Sequence, residues 1–250
     1  DMMPIQIPIK IMNNFDIILR EPITSKNILN YPTIFDLLRK QKISFSYFKG
    51  GLKYTDRDKG KKFFSNLIHL ISRSDKQTIR NAAKDGSDFK FIYLMELDNL
   101  THRFGVDSPE VKNKIREIDQ LLEEYLENSN RSFIVISDHG MIKVSGMIDI
   151  ISPIKGLGLI LGQDYLVFLE SAIAIFWFFN QSAKQKITEA LERIKEGHIL
   201  SQKEKQRFGI DFEGNQYGDL LFLVDAGKVI RPDYYRAKDI ARAMHGYSPE

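Results

Sequence analysis

The sequence predicts an α/β protein whose central sheet is mainly parallel. Two apolar runs, FKFIYLMEL at 89–97 and FIVIS at 133–137, have the branched and aromatic composition of strands that are buried on both faces. An amphipathic helix is predicted between them, over 108–128. A strand, a helix and a second strand in this order form a βαβ unit, in which the crossover is right-handed.

The helix predicted over 108–128 has a clear start and one apolar face. Ser108 can cap its first turn, and Pro109 suits the first helical position, where the missing N–H would have no partner in any case. Apolar side chains then recur every three or four residues and line one face: Val111, Ile115, Ile118, Leu121, Leu122, Tyr125 and Leu126.

Upstream of this unit the pattern changes several times. Prolines punctuate residues 1–31, which predicts a loop with short extended pieces. A helix is predicted from Pro32, because the apolar residues that follow have helical spacing. Alternation over 43–48, ending at Gly50 and Gly51, predicts a strand.

The segment before the first apolar run is strongly charged. Residues 53–62 hold seven charges in ten positions, which predicts a solvated loop, with a phosphate-attracting rim as the alternative. Helical patterns follow at about 61–72 and 75–85.

The last hundred residues predict a hairpin, a helix and a further strand. Residues 152–163 are rich in glycine and predict a loop. The elements expected after it are the two hairpin strands at 165–169 and 172–179, a helix at 183–195, a polar connector at 203–214 and a strand at 219–224. We expect 164–214 to be a small subdomain inserted into a single domain that spans 1–250.

Composition excludes several classes of protein. With 43% hydrophobic and 28% charged residues the 250-residue chain is globular, and a net charge of +3 does not favour nucleic acid or an anionic membrane as partner. The absence of cysteine excludes disulfides, cysteine-bound zinc, iron–sulfur clusters and a cysteine nucleophile. The most apolar run, 172–179, is too short to span a bilayer. We see no signal peptide and leave the compartment open, although the lack of cysteine favours the cytoplasm.

Candidate functional residues cluster at three places. These are Glu96 to His102, Asp138-His139-Gly140, and His245-Gly246-Tyr247. Asp98 and Asp138 each directly follow an apolar run, and ligands of open α/β sheets bind beyond the carboxyl ends of the strands. If the two strands are parallel neighbours, both carboxylates therefore face one crevice.

Taken alone, Asp98 and Asp138-His139-Gly140 can equally be turn residues, and His245 can be a surface residue. Their combination favours function, since three of the five histidines fall at predicted strand ends beside Asp or Gly. We expect the other two, His69 and His198, to be a packing residue and a solvent-facing residue.

Three histidines and two aspartates form a nitrogen-and-oxygen donor set. Such a set suits Zn²⁺, with Mn²⁺ or Fe as alternatives. Five ligands exceed the needs of one tetrahedral ion, whereas two ions roughly 3.5–4 Å apart would use them and would clamp an in-line displacement at phosphorus. The pattern therefore indicates phosphoester hydrolysis.

The motifs resemble those of the type I phosphodiesterase/nucleotide pyrophosphatase family of the alkaline phosphatase superfamily. The resemblance runs from about Pro32 to Pro249 and rests on an ordered set of motifs. They are Glu-x-Asp-x-x-x-His-x-x-Gly-x-x-Ser from Glu96 to Ser108, Ser137-Asp138-His139-Gly140-Met141, Gly218-Asp219 before a strand, and His245-Gly246-Tyr247.

The resemblance implies an alkaline-phosphatase-like α/β sandwich with a two-zinc site. It implies that Asp98, His102 and His245 bind one zinc ion, and that Asp138 and His139 bind the other. In this family a Thr or Ser attacks phosphorus and forms a covalent intermediate, which water then hydrolyses.

This chain departs from the family pattern at the nucleophile. The family's first metal-binding Asp and the nucleophile segment after it are not found, so we expect that segment to be missing and the catalytic residue to be unknown. Thr24 or Ser25 lies in the nearest Thr/Ser-Asn segment, but neither follows a strand that ends in Asp. The resemblance thus leaves the activity of this chain alone in question.

The sequence predicts a metal-dependent hydrolase of phosphodiester or nucleotide pyrophosphate bonds, incomplete in this chain. A phosphomonoesterase or phosphonate hydrolase of the same superfamily is one alternative, and a non-catalytic interaction module that keeps the fold is another. The expected partner is a phosphate-ester or nucleotide small molecule, without specific nucleic-acid binding or a membrane span. The oligomeric state is left open.

Overall fold

The computed structural model describes residues 32–54, 74–234 and 241–248. The chain divides into two compact units, an N-terminal unit that ends at Ile136 and a C-terminal unit that begins at Ser137. The predictions made for 1–31, for the helix at 61–72 and for most of the charged segment at 53–62 lie outside the described residues.

The N-terminal unit begins with a helix and a small mixed sheet. Helix α1 (Ile34–Lys40) starts at a capping box between Thr33 and Asp36. Strand β1 (Phe45–Lys49) pairs with β2 (Leu52–Tyr54) antiparallel and with β3 (Phe89–Tyr93) parallel, so that Phe45 lies opposite Phe89. Helix α2 (Asp75–Ala83) lies in the crossover between the parallel strands β1 and β3, which confirms the predicted helix and strand.

Two helices follow β3. Helix α3 (Glu96–Phe104) is short, and α4 (Pro109–Glu127) is the long amphipathic helix that the sequence predicts. The Ser108 hydroxyl accepts a hydrogen bond from the Val111 N–H at 3.2 Å, which caps α4 as expected. Leu121 and Tyr125 of α4 pack with Ile79 of α2 in a buried cluster, which joins the two helices.

One strand prediction in this unit is too long at its end, and another is wrong. The run at 89–97 ends as a strand at Tyr93, because the Met95 and Glu96 N–H groups bond to the Asp75 carboxylate and the chain turns into α3. The run at 133–137 forms no strand within the described residues. Its Ile134, Val135 and Ile136 are 89%, 69% and 79% exposed. An apolar run becomes a strand only where a neighbour completes its ladder of hydrogen bonds.

The C-terminal unit starts with short elements. Strands β4 (Ile142–Lys143) and β5 (Gly146–Ile148) precede helix α5 (Ile151–Lys155). The helix occupies part of the glycine-rich stretch that we expected to be a loop. Ile150 and Ile154 are buried and anchor this stretch in the main apolar cluster of the unit.

A four-stranded antiparallel sheet forms the body of the C-terminal unit. The predicted hairpin is present as β6 (Tyr165–Leu169) and β7 (Ile173–Phe178). Strand β7 also pairs with β9 (Leu220–Val224), and β9 pairs with β8 (Gly197–Ile199), giving the order β6-β7-β9-β8. All five residues of β9 are buried.

Helices and two small strand pairs complete the C-terminal unit. Helix α6 (Gln181–Leu191) buries Ile187 and Leu191 against the sheet, and α7 (Gln202–Arg207) lies in the polar connector. Strand β10 (Lys228–Ile230) pairs parallel with β5, and β11 (Ala243–Met244) pairs antiparallel with β4.

The α/β class is confirmed, although parallel pairing is less extensive than expected. Among the described residues the pairs β1–β3 and β5–β10 are parallel and the other strand pairs are antiparallel. The strands β6 and β7 share one sheet with β9. The inserted subdomain expected at 164–214 stays a prediction. No helix in the part of the chain that the structure describes has the length and hydrophobicity needed to cross a bilayer.

Candidate metal centre

Asp98 and His102 lie on one face of helix α3. They are four residues apart, so their side chains are neighbours on the helix surface, with His102 Nε2 3.4 Å from Asp98 Oδ1. His102 is buried and Asp98 is partly exposed. We expected Asp98 directly after a strand and His102 shortly beyond it, but the structure places both in the helix.

A carboxylate from helix α2 fixes the start of α3. Asp75 accepts hydrogen bonds from the Met95 and Glu96 N–H groups at 2.9 and 3.1 Å, and Glu96 Oε2 accepts one from the Asp75 N–H at 2.9 Å. Burial raises the pKa of Asp75, while these backbone donors oppose that rise. Asp75 was not predicted as a site residue, because an acidic residue in the first turn after a Ser cap resembles an ordinary helix start.

Lys114 of helix α4 completes this group of charges. Its Nζ lies 2.6 Å from Glu96 Oε2 and 2.8 Å from Glu117 Oε2. Burial acts to lower the pKa of Lys114, but the hydrogen bonds to Glu117 and Glu96 outweigh it and the pKa is raised. The ammonium therefore stays charged beside the helix that bears Asp98 and His102.

In the Asp138-His139-Gly140 loop, the side chains of Asp138 and His139 contact backbone groups of the same loop. The Asp138 carboxylate accepts a hydrogen bond from the His139 N–H at 3.1 Å. His139 Nδ1 lies 3.0 Å from the Gly140 carbonyl. Since a carbonyl oxygen can only accept, Nδ1 is the donor, and in the neutral form of the ring Nε2 then carries the lone pair that can bind a metal.

The pairing of β4 with β11 brings His245 to this loop. Met244 lies opposite Ile142, so extending the antiparallel register by one residue places His245 opposite Met141. The rings of His139 and His245 are stacked, with centroids 3.7 Å apart and planes 18° apart. Each ring offers a nitrogen, and these nitrogens lie within 4.8 Å of each other.

The two residues that follow His245, Gly246 and Tyr247, fix the path of the chain at this point. Gly246 has φ +91°, a conformation that residues with a Cβ rarely adopt. The Tyr247 hydroxyl donates to the Lys228 carbonyl at 2.8 Å. Burial raises the pKa of Tyr247 to about 12, and nearby Arg231 opposes that rise.

The donor set fits the metal that the motifs imply. Imidazole nitrogens and carboxylate oxygens are ligands that Zn²⁺ accepts. Within the N-terminal unit Asp98 and His102 lie side by side. Within the C-terminal unit Asp138 lies beside His139, and His139 stacks on His245. Carboxylate and imidazole held in this way can bind a divalent ion and present it to an anionic oxygen.

His198 is not part of this donor set. His198 is exposed on β8 and bonds through Nε2 to Glu204 Oε1 at 2.9 Å, in agreement with its expected solvent-facing position. His69, Thr24 and Ser25 lie outside the described residues.

The fold and these donors define a class, an α/β protein with carboxylate and imidazole side chains on a helix start and two loops. The chain belongs to the type I phosphodiesterase/nucleotide pyrophosphatase family, whose sequence profile matches residues 19–248. A search of curated protein sequences returned no match.

Solved structures share the fold at low sequence identity. Human ectonucleotide pyrophosphatase/phosphodiesterase 5 is 19% identical with a TM-score of 0.57, over 71% of this chain and 49% of that one. An inactive variant of the murine protein in complex with AMP is 21% identical with a TM-score of 0.56, over the same shares. This chain thus spans about half the length of those proteins.

A bacterial hydrolase covers more of the chain. Phosphonoacetate hydrolase from Sinorhizobium meliloti 1021, in complex with phosphonoformate, is 14% identical with a TM-score of 0.62, over 86% of this chain and 65% of that one. These likenesses confirm the alkaline-phosphatase-like fold that the sequence predicts.

Proposed function

We propose that this chain carries the metal-binding part of a hydrolase that cleaves phosphodiester or nucleotide pyrophosphate bonds. One observation carries the proposal. His139 and His245 belong to separate motifs of the family, and the β4–β11 pairing stacks their rings with nitrogens within 4.8 Å. A packing role for two histidines would not require ligand atoms at this spacing beside the Asp138 carboxylate.

The proposed ligands follow the family motifs. Asp98, His102 and His245 bind one zinc ion, and Asp138 and His139 bind a second, with Mn²⁺ or Fe as alternative metals. When bound, such a pair supplies Lewis-acid stabilisation of the charge on the oxygens around phosphorus.

Neighbouring groups orient the candidate ligands and fix their tautomers. The Asp98 carboxylate, 3.4 Å from His102 Nε2, orients that ring, and the Gly140 carbonyl fixes the tautomer of His139. In the reaction a hydroxyl nucleophile bonds to phosphorus while the bond to the leaving oxygen breaks, and water then hydrolyses the intermediate. The nucleophile is not assigned to a described residue.

A phosphonate hydrolase is a second candidate. The Sinorhizobium meliloti phosphonoacetate hydrolase covers 86% of this chain, a larger share than the ectonucleotide pyrophosphatase structures do. A non-catalytic module that binds a nucleotide is a third candidate, since the nucleophile segment was not found in the sequence.

Metal analysis combined with a substrate panel tests the proposal. After loading with zinc and dialysis, we expect about one tightly held ion per chain, since three ligands suffice for a zinc site with an open position. His102→Ala and His245→Ala should each lower the zinc content without loss of helical circular dichroism. His198→Ala, outside the candidate centre, should leave it unchanged.

The panel separates the three candidates from one another and from a phosphomonoesterase. Release of p-nitrophenol from bis(p-nitrophenyl) phosphate indicates a diesterase, from p-nitrophenyl phosphate a monoesterase, and release of phosphate from phosphonoacetate a phosphonate hydrolase. Zinc and AMP binding without turnover of any of them would favour the non-catalytic module. No retained zinc in the wild-type chain, or a zinc content that is unchanged in both histidine variants, would overturn the proposed centre.

A further inference from the structure

We propose that Asp75 and Glu96 are positioning residues for the candidate ligands Asp98 and His102, acting through a reciprocal cap that joins the first turns of helices α2 and α3. This inference rests on the proposed function, because it assigns the two carboxylates a role towards the metal that the centre binds.

The reciprocal cap joins two helix starts. Asp75 is the first residue of α2 and Glu96 is the first residue of α3. The Asp75 carboxylate accepts hydrogen bonds from Met95 and Glu96, and the Glu96 carboxylate accepts one from the Asp75 N–H, at 2.9 to 3.1 Å. Each helix thus receives at its start a carboxylate from the other, where backbone N–H groups otherwise lack partners.

Helix α3 depends on this arrangement more than its neighbours do. Met95, at its N-cap position, provides no side-chain hydrogen bond, whereas α1, α2 and α4 each begin with a hydroxyl cap from their own Thr or Ser. The run FKFIYLMEL by itself favours a longer strand. The cap from Asp75 therefore decides where the strand stops and at which residue the helix begins.

Burial and charge make the reciprocal cap rigid. Asp75 is 1% exposed and Lys114 is 8% exposed. A buried carboxylate is stable only when its oxygens are bonded, and the Met95 and Glu96 N–H groups meet that need for Asp75. The Lys114 ammonium, 2.6 Å from Glu96 Oε2, holds the partner carboxylate. A group held from three elements has little freedom to shift.

The ligands lie immediately after this anchor. Asp98 is two residues beyond Glu96, and His102 follows one helical turn later on the same face. A change in the residue at which α3 begins rotates both side chains about the helix axis. The reciprocal cap thus sets the direction in which the Asp98 carboxylate and the His102 imidazole point. Asp75 and Glu96 therefore act on the metal through these ligands and do not bind it themselves.

The test compares two carboxylate variants with a matched control, using Zn²⁺ alone and Co²⁺ alone as probes. Asp75→Asn and Glu96→Gln disturb the reciprocal cap. Asp36→Asn removes a capping carboxylate of the same unit, in the capping box of α1, far along the chain from α3. Zinc affinity is measured by competition with a chromophoric chelator, the ligand geometry by the visible absorption of the cobalt-loaded chain, and stability by thermal unfolding of the metal-free chain.

We expect Asp75→Asn to weaken zinc binding roughly 10- to 100-fold and to alter the cobalt spectrum, as changes behind metal ligands do. Asp36→Asn should lower the unfolding temperature but leave zinc affinity within about twofold of wild type and the cobalt spectrum unchanged. If Asp75→Asn does not fold, Glu96→Gln, whose side chain is partly exposed, is judged by the same two readouts.

Two results overturn the inference, and they differ from each other. If the wild-type chain binds zinc but the folded Asp75 or Glu96 variants bind it as tightly and with the same cobalt spectrum, the reciprocal cap has only a structural role and the proposed function stands. If the wild-type chain binds no zinc, the proposed centre itself fails, and the positioning role fails with it.

Discussion

At the scale of single residues, the candidate ligands depend on neighbours that do not themselves bind the metal. The Gly140 carbonyl determines which nitrogen of His139 carries the proton, and Asp98 lies against the ring of His102. Tyr247 ties the chain after His245 to the Lys228 carbonyl. The types and spacing of the ligands could be predicted from the sequence, but these supporting contacts could not, because each depends on the final backbone path.

Tyr247→Phe tests the last of these contacts. Losing the hydrogen bond should lower the free energy of unfolding by about 1 kcal/mol at neutral pH. Burial raises the pKa of Tyr247 to about 12 from an ordinary value near 10. Between these values the folded chain keeps a proton that the unfolded chain releases, so this contribution to stability falls as pH rises.

Urea unfolding of both proteins over a pH series measures this effect. The difference between wild type and Tyr247→Phe should be largest below about pH 10 and shrink towards pH 12, because the variant lacks the titrating group. A difference that stays constant over this range would mean that the phenol is not held as the structure indicates.

At the scale of elements, the turn before β9 has an unusually tight geometry. Gly218 has φ +110°, and a Cβ there would lie 2.6 Å from Ile175 Cγ2 and 3.2 Å from the Phe176 carbonyl oxygen. The chain therefore needs glycine at this position for two reasons, its backbone conformation and the closeness of β7. This explains the Gly218-Asp219 motif as a structural requirement of the sheet.

A pair of glycine variants separates the two reasons. Gly158 also has a left-handed conformation, with φ +69°, but a Cβ there would meet nothing within 4 Å. We expect Gly158→Ala to lower the free energy of unfolding by about 1 kcal/mol, through backbone strain alone. Gly218→Ala should lower it by about 3 kcal/mol, because strain and the clash with Ile175 add. Equal losses in urea unfolding would show that β7 yields to the added methyl group.

At the scale of the whole molecule, the sequence predicted best the elements that depend on residues close to each other in the chain. The helix at 109–127 and the hairpin at 165–178 follow from local spacing and capping, and both are confirmed. The strand expected at 133–137 was wrong, and the helix at Asp98 was missed, since both outcomes depend on partners distant in sequence. The sequence therefore indicates candidate donors but not the element that carries each one.

The assignment of ligands to ions is the last step that joins these scales. If Asp98, His102 and His245 bind the same zinc, removing any one of them removes the same ion, and the losses are not additive. We therefore expect the double variant His102→Ala/His245→Ala to lose no more zinc than either single variant. Asp138→Asn, assigned to the other ion, should retain most of the tightly held zinc.

Elemental analysis of the four dialysed proteins, beside wild type, measures this directly. Helical circular dichroism should be unchanged in all of them, because the ligand side chains contribute little to the apolar clusters of the fold. If the losses of His102→Ala and His245→Ala add in the double variant, the two histidines bind different ions. The stacking of His139 on His245 would then favour pairing those two on one ion, because their ring nitrogens already lie within ligand spacing.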